Sequence, residues 1–159
     1  MSANGAPIVA LHLPARPEGV GVVRQALVGV ADGLAIDVAV LSDAKMAVTE
    51  ACTNAVVHAY DDDAGRLDVE MYADHTQLTV VVRDRGAGIA PRPMRQSHTA
   101  LGLGLPLIAA LSDAFEVRGG PRDGTEVSMT FAYERTGDPA DENPITGAPG
   151  PTGQWDPDA

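Results

Sequence analysis

The sequence holds a single cysteine, Cys52, so no disulfide can form within the chain. No apolar run approaches the roughly 20 residues of a membrane span, and no transmembrane helix is expected. The opening stretch MSANGAPIVALHLPARP has neither a charged start nor a long apolar core, so no signal peptide is expected. Basic residues are scarce. Eleven Lys and Arg stand against 22 Asp and Glu, giving a net charge of −11. Binding to a phosphate backbone needs a basic surface, so direct contact with nucleic acid is not expected. There is no internal repeat, and neither GxGxxG nor GxxxxGK[ST] occurs. These absences together fit a cytoplasmic protein that touches neither membrane nor nucleic acid.

What remains is enough for one domain with a real core: 159 residues, 45% of them hydrophobic. Residues 8–13 alternate apolar and polar and predict a short strand. Residues 18–34 place Val23, Leu27, Val30 and Leu34 at helical spacing, and a second helix is expected over 37–59. Two strands follow at 67–72 and 78–83; the second, LTVVVR, is nearly all apolar and reads as central. Residues 84–100 form a loop and 103–111 a helix, with Pro106 tolerated in its first turn. Strands at 114–118 and 125–133 close the pattern. Beyond Glu134 the chain is rich in Pro, Gly and acid, and residues 135–159 are expected to be a disordered tail behind a domain spanning 1–134. Short turns between strand pairs, and helices that can share one side, predict an α+β two-layer sandwich with a mixed sheet.

Three stretches carry possible chemistry. The first, TEACTNAVVHAY, puts Glu50, Asn54 and His58 on one helical face at intervals of four. The opposite face holds Cys52, Ala55, Val56 and Ala59, and there Cys52 reads as an inert buried thiol. The second, VVVRDRGAGIAP, sets Asp84, Gly86 and Gly88 just past a strand end. Asp84 could accept from an exocyclic amine, and the glycines let a ligand approach the backbone. The third, LGLGLPLIAAL, opens a helix with Gly102 and Gly104, where free N–H groups suit a phosphate. Each has a plainer reading as a solvated helix face or an ordinary turn. Three consecutive acids, Asp61, Asp62 and Asp63, read as a solvated loop, because neighbours in sequence do not converge on one ion.

In combination the stretches are more specific. Glu50-x-x-x-Asn54, Asp84-x-Gly86-x-Gly88, Gly102-Leu103-Gly104 and Gly124-Thr125 follow in order. They resemble the N, G1, G2 and G3 boxes of the GHKL ATPase superfamily over about residues 8–133. Within it the chain is most similar to anti-sigma factor serine/threonine kinases of the RsbW and SpoIIAB type. The resemblance implies the Bergerat α/β sandwich, ATP and Mg²⁺. It implies that Glu50 is the general base and that Asn54 ligates Mg²⁺. Asp84 would bond the adenine amino group, with Gly86 and Gly88 lining the pocket and Thr125 beside Asp84. Gly102, Leu103 and Gly104 would hold the phosphates.

The implied activity is phosphorylation of a STAS-type anti-anti-sigma protein, coupled to sequestration of an alternative sigma factor. Such proteins are commonly homodimers. Where kinase members carry a basic residue before the G2 glycines, this chain has Thr99, Ala100 and Leu101, and its lid cations are Arg92 and Arg95. That difference keeps open a non-catalytic ATP-binding sequestering module, or a partner switch acting on a non-sigma target.

Overall fold

A computed structural model describes residues 5–58, 65–85, 104–120 and 123–134. Eight elements follow in order: β1 (Val9–Pro14), α1 (Pro17–Gly33), α2 (Val38–His58), β2 (Arg66–Ala73), β3 (Gln77–Asp84), α3 (Gly104–Leu111), β4 (Ala114–Gly120) and β5 (Gly124–Ala132). The expected tail, 135–159, lies outside the described residues. No described helix is long and apolar enough to cross a membrane.

The strands form one sheet in the order β1-β2-β3-β5-β4. The two-layer sandwich is as expected, and LTVVV lies in the middle strand. The sheet is not mixed, however: all four pairings are antiparallel. The connections explain the difference. Two helices between β1 and β2 return the chain to the end it left, so β2 runs back along β1. The single helix between β3 and β4 would make those strands parallel neighbours, but β5 lies between them.

Register and burial define the two faces. Leu67, Val69 and Met71 of β2, Leu78, Val80 and Val82 of β3, and Val127, Met129 and Phe131 of β5 are buried in one apolar layer. Alternation along each strand puts these residues on one side. Against them pack Val23 and Leu27 of α1, and Ala44, Ala47, Val48, Ala51, Cys52 and Ala55 of α2. The small residues of α2 let this helix sit close to the sheet. Burial pushes the Cys52 thiol up to about 12, so it stays protonated and unreactive.

Both helices of the first pair are punctuated by their own residues. Asp37 caps α2: its Oδ1 accepts from the Ala39 N–H at 2.7 Å. At the end of α1, the Ile36 N–H reaches the Ala31 carbonyl at 2.9 Å and the Ala35 N–H the Asp32 carbonyl at 3.1 Å. This is a Schellman stop, with Ala35 in the left-handed position at φ 53°. A Cβ there is unfavourable, and Ala35 is exposed, so little packing is at stake. Ala35→Gly is expected to stabilise the fold by about 0.5–1 kcal/mol, net of the glycine's unfolded-state entropy. An unchanged or lower melting temperature would contradict the motif.

The other sheet face is polar and internally paired. Arg83 donates through Nε to Glu126 at 2.6 Å and through Nη1 to Glu70 at 2.5 Å, and the Tyr72 hydroxyl donates to Glu70 at 2.7 Å. Next to them, Asp68 accepts from His12 at 2.7 Å and from Arg66 at 2.6 Å. Hydrogen bonds from Arg83 and Tyr72 hold the Glu70 carboxyl below its usual range. Burial opposes the Asp68 charge, but the bonds from His12 and Arg66 outweigh it and lower this group too. Carboxyls lowered by folding stabilise above their unfolded values and lose that contribution as pH falls through the folded ones. The loss should therefore be concentrated below about pH 4, and be under about 1 kcal/mol per pair at this exposure. Acid titration of stability, with Arg83→Met removing the larger part of the Glu70 share and leaving the Tyr72 bond, checks this.

Candidate nucleotide site

The sandwich gathers several singled-out residues at one end. Helix α2 finishes at His58, and β2 begins only a short connector later at Arg66. The C-terminal half of α2 thus lies toward the sheet end where β2 starts. By register, Leu67 at that start faces Asp84, the last residue of β3, and Asp84 faces Thr125 near the start of β5. Glu50 and Asn54 occupy that half of α2, one turn apart.

Gly104, the first residue of α3, meets both. A Cβ built on it would stand 2.9 Å from Asn54 Nδ2, and 3.5 Å from Asn54 Oδ1 and Glu50 Oε2. The absent side chain lets the start of a helix come against a carboxamide and a carboxylate. Helix-start N–H groups favour anions, so the junction suits a phosphate chain with its cation. Among the described residues no three His, Cys, Asp or Glu side chains gather to cage a metal. The donors fit an ion that keeps water and phosphate oxygens as most of its ligands, as Mg²⁺ does.

Asp84 differs from the sequence expectation in position. It is the terminal ladder residue of β3 rather than a loop residue past it. It follows Leu78, Val80 and Val82 on the helix-facing row and is 9% exposed, the only buried charged residue among those described. Residues directly opposite across strands share a face, so Thr125 is its neighbour there. The pairing continues through Asp84 because β2 and β5 both extend to flank it.

Gly124 contributes something that its place in a motif did not reveal. Its φ is 76°, and a Cβ on it would lie 2.0 Å from the Asp84 carbonyl oxygen and 3.0 Å from Arg85 Cα. It is the backbone seat against which the end of β3 rests. The signal in the sequence is a glycine before Thr125 in a Gly-rich hairpin, which reads equally as an ordinary turn. Gly86, Gly88, Gly102 and Leu103, with Arg92 and Arg95 of the expected lid, lie outside the described residues, as do Asp61, Asp62 and Asp63. Arg24 is exposed on α1.

Comparison with known proteins adds a family. The model for the histidine kinase-like ATPase domain matches residues 13–131. The serine-protein kinase RsbW of Bacillus subtilis is 37% identical over 140 residues, covering 80% of this chain and 86% of that protein. The serine-protein kinase RsbW of Bacillus velezensis is 38% identical over 135 residues, covering 77% and 83%. Among solved structures, the RsbU and RsbW domains of Rv1364c from Mycobacterium tuberculosis align with a TM-score of 0.60 at 24% identity, covering 80% of this chain and 34% of that longer one. This last likeness concerns the fold alone.

Proposed function

The chain belongs to the histidine kinase-like ATPase domain family, and on that premise we propose that it is an ATP-dependent serine/threonine protein kinase acting in the manner of its RsbW relatives. The observation that carries the reading is the meeting of Glu50, Asn54 and Gly104. A base and an amide donor one helical turn apart, at the start of a second helix, are what phosphoryl transfer to a hydroxyl requires.

In this reading Asp84 accepts from the adenine amino group, with Thr125 beside it and Gly86 and Gly88 lining the pocket. Gly102, Leu103 and Gly104 present backbone N–H groups to the phosphates. Asn54 would hold Mg²⁺, which would neutralise phosphate charge. Glu50 receives the proton of the attacking hydroxyl. The acceptor oxygen bonds the γ-phosphorus, the bond from that phosphorus to the β,γ-bridging oxygen breaks, and ADP leaves. Most of the catalysis is positioning and charge placement. The phosphoacceptor we propose is a serine or threonine of a STAS-type anti-anti-sigma protein. The species held when that protein is phosphorylated is an alternative sigma factor, and the setting is the cytoplasm. Names of the relatives support the kinase step, and the acidic surface suits basic patches on a sigma factor.

The test is incubation with Mg²⁺, γ-labelled ATP and purified STAS-domain proteins. Label arriving on a partner serine or threonine supports the reading. ATP binding without any transfer would make the chain a sequestering module instead. No ATP binding at all would overturn the assignment of Asn54, Asp84 and Gly102.

A further inference from the structure

Among the described residues, the outer side of α2 and α3 is poor in charge. On α2, Val38, Met46 and Val57 are 80%, 51% and 59% exposed, with Ser42 and Thr53 exposed between them. At 100° per residue these five fall within about a third of the helix circumference. Asp43 is the only exposed charge among the described residues of this helix. Helix α3, GLPLIAAL, has no charge at all, and Leu105 is 38% exposed. Gly104 lies against Glu50 and Asn54, and Ala110 and Leu111 share a shallow cleft with Val40 and Asp43. The two helices therefore run antiparallel, side by side, and their outer faces make one surface. Among the other described residues charge is commoner: α1 exposes Glu18, Arg24 and Asp32 beside Val22, and the open sheet face carries ion pairs. In a chain of net charge −11, a helical face whose α2 part exposes one charge among the described residues, Asp43 at its α3 edge, is not the default.

We infer that this α2–α3 face is the ground on which the protein substrate docks, through an apolar, weakly charged surface of its own. The inference rests on the kinase reading above and adds where the acceptor sits. Glu50 borders the stripe, one turn from both Met46 and Asn54, so anything resting there is beside the base. Nineteen residue steps of α2 and seven of the shorter α3, at 1.5 Å each and about 9 Å of width per helix, give a face on the order of 350 Å². Stable interfaces need about 800 Å² per partner. The face is thus too small for a permanent second copy and suits a protein that must leave after each turnover. An anionic membrane surface is a poor match, because the face carries no cluster of Lys or Arg.

The experiment measures transfer to a STAS-domain protein that the unsubstituted chain labels, using Met46→Glu and Ala109→Glu. Both sites are exposed and outside the catalytic set. KM for the protein substrate should rise about tenfold or more, with kcat and ATP affinity within twofold. Met46→Ala, which adds no charge, should raise KM by about threefold and guards against a folding artefact, as does a melting temperature for each variant. Unchanged KM in both charged variants overturns the inference. Sedimentation showing that Met46→Glu splits a dimer of the chain alone, with KM unmoved, assigns the face to a second copy and overturns it too. If the unsubstituted chain labels no STAS protein, the kinase reading has fallen and this inference with it, an outcome distinct from failure in the variants alone.

Discussion

Glu50→Gln is expected to lower the turnover number for transfer by roughly 10²- to 10⁴-fold, the usual contribution of a positioned general base. The change is isosteric. It removes the proposed proton acceptor while keeping a side chain of the same length against Gly104. Affinity for ATP should stay within about twofold, because Asp84, Thr125 and the helix start are untouched. Single-turnover transfer, followed with saturating nucleotide and STAS partner, separates the two quantities. Retention of a tenth or more of the wild-type rate would remove Glu50 from the chemistry. Loss of ATP binding together with transfer would instead make it part of the nucleotide cradle.

The second large effect is expected at Gly124. An alanine methyl there would overlap the Asp84 carbonyl at 2.0 Å, in a backbone conformation that already disfavours a side chain. Two ways of relieving it exist: β5 lifts from β3 at its first residue, or the end of β3 shifts. Either one moves Asp84. Gly124→Ala should cost on the order of 3 kcal/mol, a fall of roughly 10 °C in melting temperature for a domain of this size. It should also weaken ATP binding at least tenfold even where the protein remains folded. A variant that melts like wild type would show that the start of β5 yields freely. One that is destabilised but binds ATP normally would show that Gly124 supports the fold and not the proposed nucleotide site.

The two substitutions differ in how far the sequence announces them. Glu50 and Asn54 are legible because a helix imposes its period: polar groups four apart interrupt a stretch that otherwise forms core, and packing alone does not call for them. The central strand is legible because LTVVV must be covered on both sides, and Val81 on the polar face is indeed only 7% exposed. The strand order is harder. A single helix between β3 and β4 suggests parallel neighbours, and no local pattern states that the last strand inserts between them. Asp84 falls one step short of its expected loop for a similar reason. Asp and Gly signal a turn locally, whereas the ladder continues as long as strands on both sides supply partners. Ala35 and Gly124 show opposite failures. The left-handed stop of α1 uses an alanine where a glycine would have marked it, and the glycine that seats Asp84 resembles any hairpin glycine.

The insertion of β5 between β3 and β4 also sets the order in which the sheet can be completed. Strand β3 ends at Asp84 and β5 does not begin until Gly124, about 40 positions later. At about 5–20 residues per second of synthesis, that gap is roughly 2–8 s. Throughout it, the side of β3 that β5 takes in the finished sheet has backbone N–H and C=O groups without their native partner strand. A nascent β1-β2-β3 sheet would carry LTVVV along its open edge, the kind of segment that recruits foreign strands. The cell's exposure to misassembly of this protein is therefore governed by how quickly translation proceeds from Asp84 to Ala132. Rare-codon stalling within that window should lower the soluble yield more than stalling before Gln77.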